Sequence, residues 1–195
     1  RNNSCHDQRT KKHQEVMIMS TLIILESLQK FLQEKVTPGI TLQKPNDDNV
    51  DEYKLVNPVV HTGWIPPKGY LPEGMESAIP CLIVGMDEAS DDGSDREINI
   101  RITAAVYSPG KHIPADGKAI DYIPDLKGYH DLLNLIDKTV AELSRNPVIN
   151  TAGMVQRPIK YGMYQEQPYP YWYGWITFTL RKSPYPQVES YKNLL

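Results

Sequence analysis

Apolar and polar residues alternate through residues 98–108. Ile98, Ile100, Ile102, Ala104 and Val106 share one parity, and Asn99, Arg101 and Thr103 the other. Successive side chains of a strand point to opposite faces, so this pattern predicts a strand with one buried face and one wet face. One-sided sheets are usually antiparallel and are covered by helices on their apolar side.

The rest of the chain supplies such partners. A nearly continuous apolar run at 79–86 predicts a buried strand, joined to 98–108 through a polar turn at 87–97 that contains Asp92-Gly93. In 171–182, Ile176, Phe178 and Leu180 face one way and Thr177, Thr179 and Arg181 the other; residues 159–164 read as its partner strand. Ser20 can cap a helix running to Val36, with Leu25, Leu28, Leu32 and Val36 as its apolar stripe, widened by Thr21, Leu22 and Ile24. Thr37-Pro38-Gly39 ends it. The clearest helix spans 128–145, where Tyr129, Leu132, Leu133, Ile136, Val140 and Leu143 recur at helical spacing until Asn146-Pro147 stops it. Short strands are expected near 40–42 and within 55–64, the latter broken by Pro58. Residues 66–80 and 109–124 read as long loops, the first ordered by packing of Tyr70, Leu71 and Met75. The order predicts an α+β fold: an antiparallel or mixed sheet carrying two main helices, with long Pro-rich loops and extended terminal arms. The expected divisions are an N-terminal extension at 1–16, one domain at 17–182 and a C-terminal arm at 183–195. No internal repeat is evident.

Composition narrows the function classes. Sixteen prolines and twelve tyrosines fit long ordered loops on a modest core. The net charge is −3, and the surplus of basic residues in 1–16 (Arg1, Arg9, Lys11 and Lys12 against Asp7 and Glu15) leaves an acidic body. That argues against nucleic-acid binding through a basic face. Cys5 and Cys81 make no disulfide framework, and Cys81 lies in an apolar run as a small core residue. Lys11-Lys12 and the apolar residues after Glu15 have the outline of a signal peptide. Glu26 and Gln29 interrupt it without a small-residue cleavage pattern, and the run is too short to span a bilayer. A cytosolic protein with an amphipathic helix is the expectation; a secreted or tethered protein anchored by 11–25 is the alternative.

Catalytic chemistry has little to stand on. His112, Asp116, His130 and Asp131 match no metal-ligand spacing, and Asp131 suits the positive end of a helix. The acidic residues Asp87, Glu88, Asp91, Asp92 and Asp95 surround Gly93 as in a calcium loop. The register then puts Asn99 where the bidentate carboxylate belongs, so a solvated hairpin tip or a functional negative surface is expected instead. No nucleophile elbow and no phosphate loop occur. Trp172, Tyr173 and Trp175, preceded by Tyr169 and Tyr171, form an aromatic cluster suited to sheet packing on one face and an interface on the other.

Taken together, the helix at 20–36, Ala78-Ile79-Pro80-Cys81-Leu82-Ile83-Val84 leading into the acidic hairpin, the strand 98–107, the helix 129–144 and the strand 172–181 resemble a phage tail terminator. The segments 56–67 and Tyr171-Trp172-Tyr173-Gly174-Trp175 are similar to prophage proteins encoded among tail genes. The resemblance covers 17–182 and is one of order and pattern, without a diagnostic motif. It implies a structural virion protein, assembled in the host cytoplasm, that forms a ring, usually a homohexamer, at the head-proximal end of the tail. The ring ends polymerisation of the tube and joins it to the neck. The implied partners are further copies of the chain, the tail tube protein, the neck or head-completion protein and, in a contractile tail, the sheath. No cofactor, metal, membrane or specific nucleic acid is implied. On this reading Trp172, Tyr173, Trp175, Tyr70 and Trp64 are interface candidates, and Asp87, Glu88, Asp91, Asp92 and Asp95 form an acidic loop facing the lumen or the tube. Another head–tail joining protein is the nearest alternative; a small metal-dependent enzyme using His112, Asp116 and His130 is the alternative from another class.

Overall fold

Six strands form the central sheet, in the order Val59–Thr62, Cys81–Asp91, Arg96–Tyr107, Tyr171–Lys182, Gly153–Met163 and Val148–Ile149, and two helices pack on one side of it. The computed structural model describes residues 20–46, 54–66, 70, 77–115, 118–123 and 125–185, with the backbone alone described at 111–115 and 118–123. The elements in chain order are α1 (Thr21–Lys35), β1 (Leu42–Gln43), β2 (Leu55–Val56), β3 (Val59–Thr62), β4 (Cys81–Asp91), β5 (Arg96–Tyr107), β6 (Lys111–Ala115), β7 (Lys118–Ile123), α2 (Lys127–Arg145), β8 (Val148–Ile149), β9 (Gly153–Met163) and β10 (Tyr171–Lys182). β3 runs parallel to β4 and every other ladder is antiparallel, so the sheet is mixed. The fold is α+β, as the order of elements predicts.

The alternation in β5 decides which face is buried. Ile98, Ile100, Ile102, Ala104 and Val106 are sealed from solvent, together with Leu82 and Val84 of β4 and Ile176, Phe178 and Leu180 of β10. α1 covers them with Ile24, Leu28 and Leu32, and α2 with Leu132, Leu135, Ile136 and Leu143. Both stripes differ from expectation in detail. Leu22 and Tyr129 are exposed, while Leu135 and Thr139 turn inward, Thr139 donating its hydroxyl to the Leu135 carbonyl at 2.7 Å. Gly128 is buried because Trp172 lies on it.

Several boundaries depart from the sequence reading. The turn expected over 87–97 is only the tip of a long ribbon, since β4 extends to Asp91 and β5 begins at Arg96. Backbone pairing carries β4 on to Asp91 although its residues 87–91 are all exposed, while the facing β5 residues Arg96 and Ile98 stay buried. The expected loop at 109–124 contains the hairpin β6–β7, which forms a two-stranded sheet of its own. β9 starts six residues earlier than expected, and β8 pairs with its first residues at Val148↔Met154 and Ile149↔Gly153. The extension at 1–16 and the arm beyond Tyr185 lie outside the described residues, as do Leu71, Met75 and Cys5. Tyr70 itself is 78% exposed, so it does not order its loop by burial.

Candidate functional site

The sheet face turned away from the helices is the surface with chemistry left to use. Register places its side chains in rows. One row runs His61–Ile83–Thr103–Trp175–Gly162 across five strands; the next places Val59, Cys81, Ala105 and Tyr173 together; Tyr107 and Tyr171 follow at the end. Toward the ribbon the rows become polar: Gly85–Arg101–Thr177–Lys160, then Glu88–Asn99–Thr179–Gln156. The face is therefore aromatic at one end and charged at the other.

At the aromatic end the Tyr107 and Tyr171 rings lie 5.4 Å apart, and Tyr171 and Tyr173 6.5 Å. The loop after β9 is fastened beside them: the Gln167 amide nitrogen donates to the carbonyls of Tyr164 (2.7 Å) and Tyr173 (2.9 Å), and its oxygen accepts from the Tyr173 N–H (2.6 Å). One side chain thus does the work of a short strand. Trp175 spreads over Gly162, where an added Cβ would stand 3.2 Å from the indole. Tyr173 and Trp175 are both half-buried. Trp172 points the other way, into the helix side, so the aromatic cluster is divided between the two faces. Burial pushes the Tyr173 hydroxyl's pKa up and that of the Cys81 thiol up to about 12, which leaves Cys81 a neutral packing group.

At the charged end, register shifts in β4 and in the β9–β10 ladder fall at one level of the sheet. The β4 ladder skips between Met86 and Glu88, and the β9–β10 ladder between Thr177 and Thr179. Bulges of this kind bend a strand and deepen its twist. Between them lies an open depression of about 410 Å³, lined by Asp87, Glu88, Arg101, Lys160, Thr177 and Thr179 among others. The Asp87 carboxylate grips Arg101, taking its Nε at 3.0 Å and its Nη2 at 2.7 Å, and this contact raises the Arg101 pKa.

The acidic candidates have separate local duties. Asp92 Oδ1 accepts from the N–H groups of Ser94 (2.8 Å) and Asp95 (2.9 Å) and from the Ser94 hydroxyl (2.7 Å), and these donors lower its pKa to about 2. Asp91 accepts from the Gly93 N–H at 2.9 Å and the Tyr185 N–H at 2.8 Å. Asp95 pairs with Arg181. Asp87, Glu88 and Asp91 belong to β4, and Asp92 and Asp95 to the tip between β4 and β5. Trp64 and Tyr70 are each 78% exposed.

Of the metal candidates, His130 is exposed with its ring edge-on to Tyr129 at 6.0 Å, and Asp131 is half-buried with its carboxyl pKa raised by desolvation. The side chains of His112 and Asp116 lie outside the described residues. Among the described residues no three His, Cys, Asp or Glu side chains gather as metal ligands, and no helix is long and apolar enough to cross a membrane.

Sequence reasoning did not find Arg96. It is 3% exposed, donates to the Thr21 hydroxyl at 2.5 Å, and carries the Tyr185 ring 4.2 Å from its guanidinium carbon. The start of α1 and the chain beyond β10 therefore meet at one buried cation. The signal for it was weak, since Arg96 falls in the polar stretch 87–97 that reads as a turn, and an arginine there reads as solvent-facing.

No protein-family model matches the chain, and no curated protein sequence matches it either.

Proposed function

We propose that this protein is a structural ring subunit of the tail-terminator type. Copies of the chain would close into a ring that caps the tail tube and offers its other side to the neck of the filled head. The observation that carries this reading is the division of the sheet. Two helices cover one face, whereas the opposite face keeps Tyr173 and Trp175 half-exposed beside Ile83 and carries no helix among the described residues. Tyr and Trp concentrate in protein–protein contacts because a rigid aromatic plane buries much area at little entropic cost. In the same reading Trp64 and Tyr70 contribute at the rim, and the ribbon with Asp87, Glu88, Asp91, Asp92 and Asp95 faces the lumen or the tube, where carboxylates repel passing DNA.

The test combines particle mass by light scattering with electron microscopy of tail-tube protein polymerised in the chain's presence. A ring-sized mass and tubes closed at one end are expected. A monomer at every concentration, with tubes that grow unchecked, sinks the reading.

A further inference from the structure

The two outer strands of the main sheet are treated differently. β3 is sealed by α1: Val60 N–H donates to the Gln33 side-chain oxygen at 3.0 Å, the Gln29 amide donates to the Val60 carbonyl at 2.7 Å, and the Thr62 hydroxyl donates to Gln29 at 3.1 Å. β9 is left open, because β8 pairs only with its first two residues. Val155 N–H still donates to the Pro147 carbonyl at 2.7 Å, and among the described residues 156–163 have no ladder partner on that side. A second unfinished element is the hairpin β6–β7, which pairs with no strand of the main sheet. A two-stranded hairpin is marginal in water unless something completes it, and an open strand edge is a template for pairing.

Proline narrows how these could meet. β6 carries Pro114 inside a register irregularity, and the first part of β9 carries Pro158 inside another, so neither offers an unbroken row of N–H groups. β7 has six residues without proline, and residues 159–163 of β9 form a proline-free stretch of nearly equal length. We infer that β7 of one copy pairs with residues 159–163 of the next, extending the neighbour's sheet. Donor and acceptor are different parts of the surface, so the contact is heterologous and generates a closed ring or a filament rather than a two-fold dimer. The seal closes β3 itself; past β3 the same side of the sheet is formed by β4 residues 85–91, where Asp87, Glu88 and Asp91 put charge on the edge and oppose sheets joining there in series. This inference rests on the proposed ring function and supplies its contact.

The experiment places single cysteines in a Cys5→Ser background, where the remaining Cys81 is buried. Ile120→Cys and Tyr161→Cys chains are made separately, co-expressed, and joined in one double variant, then treated with a short bismaleimide. Copies bridged only when both cysteines are present, and a ladder of bands from the double variant ending at the ring number, are expected. Bridging by Tyr161→Cys alone reveals a β9–β9 two-fold contact and overturns the inference. A multimeric mass with no bridging also overturns it while leaving the ring function standing. Bridged rings that fail to cap tubes overturn the function and support the contact. A monomer throughout removes both.

Discussion

Gly128 lies directly beneath Trp172: a Cβ on this glycine would stand 2.1 Å from the indole Nε1 and 2.3 Å from Cδ1. Helix propensity favours Gly128→Ala by at most about 1 kcal/mol, and less in the first turn where Gly128 sits. Overpacking against a fixed ring costs about 1–3 kcal/mol. The clash wins, so Gly128→Ala should lower the urea midpoint. Gly85→Ala is the control, since its Cβ would meet only the Arg101 carbonyl at an ordinary 3.7 Å. Equal midpoints for the two variants would show that Trp172 moves aside freely.

Cys81 should behave as a hydrophobe with a hidden acid. Its thiol holds its proton to about pH 12 in the folded chain, whereas an unfolded cysteine ionises near about 8.5. The unfolded state then binds fewer protons above that value, so stability is intact below about pH 8.5 and falls as pH rises toward 12. Cys81→Ala should flatten that alkaline limb. In a Cys5→Ser background, a thiol reagent at pH 8 should leave the native protein unlabelled and label it once in denaturant. Rapid native labelling would contradict the burial.

The parts of the fold that were legible in the chain are those where a buried face imposes a period. β5 and β10 show it because Ile98 to Val106 and Ile176 to Leu180 lie against helices, and α2 shows it because one side is wet. Asp87 to Asp91 gave no such signal: these residues pair with β5 but are exposed throughout, and an exposed strand has no apolar parity. β6 was hidden by Pro114 and the start of β9 by Arg157-Pro158, since proline inside a strand reads as a loop even where an irregular ladder accommodates it. The candidate surface was half legible. Alternation put Asn99 with Arg101, and Thr177 with Thr179, on wet faces, but only the register between strands assembles them with Lys160 and separates Trp172 from Trp175.

The ribbon tip should respond to acid through Asp92. Its folded pKa of about 2 lies below the ordinary carboxyl value near about 3.9. Its contribution is therefore present above about pH 4 and lost as pH falls through 2. Asp92→Asn keeps an oxygen able to accept from Ser94 and Asp95 but removes the titration. The variant should show a shallower fall in melting temperature between pH 4 and pH 2. A carboxyl titration by NMR with a midpoint near the ordinary value for Asp92 would refute the assignment.

The seal on β3 supplies the sharpest test of how the sheet's edges are managed. Gln33 is the acceptor for Val60 N–H, and Gln29 the donor to Val60 C=O. Val60 itself is 2% exposed, so water is poorly placed to replace either partner. An orphaned buried donor costs about 1–3 kcal/mol, while the hydrogen bond itself contributes about 1. Gln33→Leu should therefore destabilise by about 1–3 kcal/mol, and the Val60 amide should lose its protection in hydrogen exchange more than its neighbours in β4. Gln29→Ala with Gln33→Ala should go further: both backbone groups of Val60 lose their side-chain partners, and an open β3 edge can then pair with the open edge of β9 on another copy. Growth of mass with concentration beyond the wild-type particle is the expected result. An unchanged mass together with an unchanged exchange rate at Val60 would mean that the glutamines rest on β3 without guarding it.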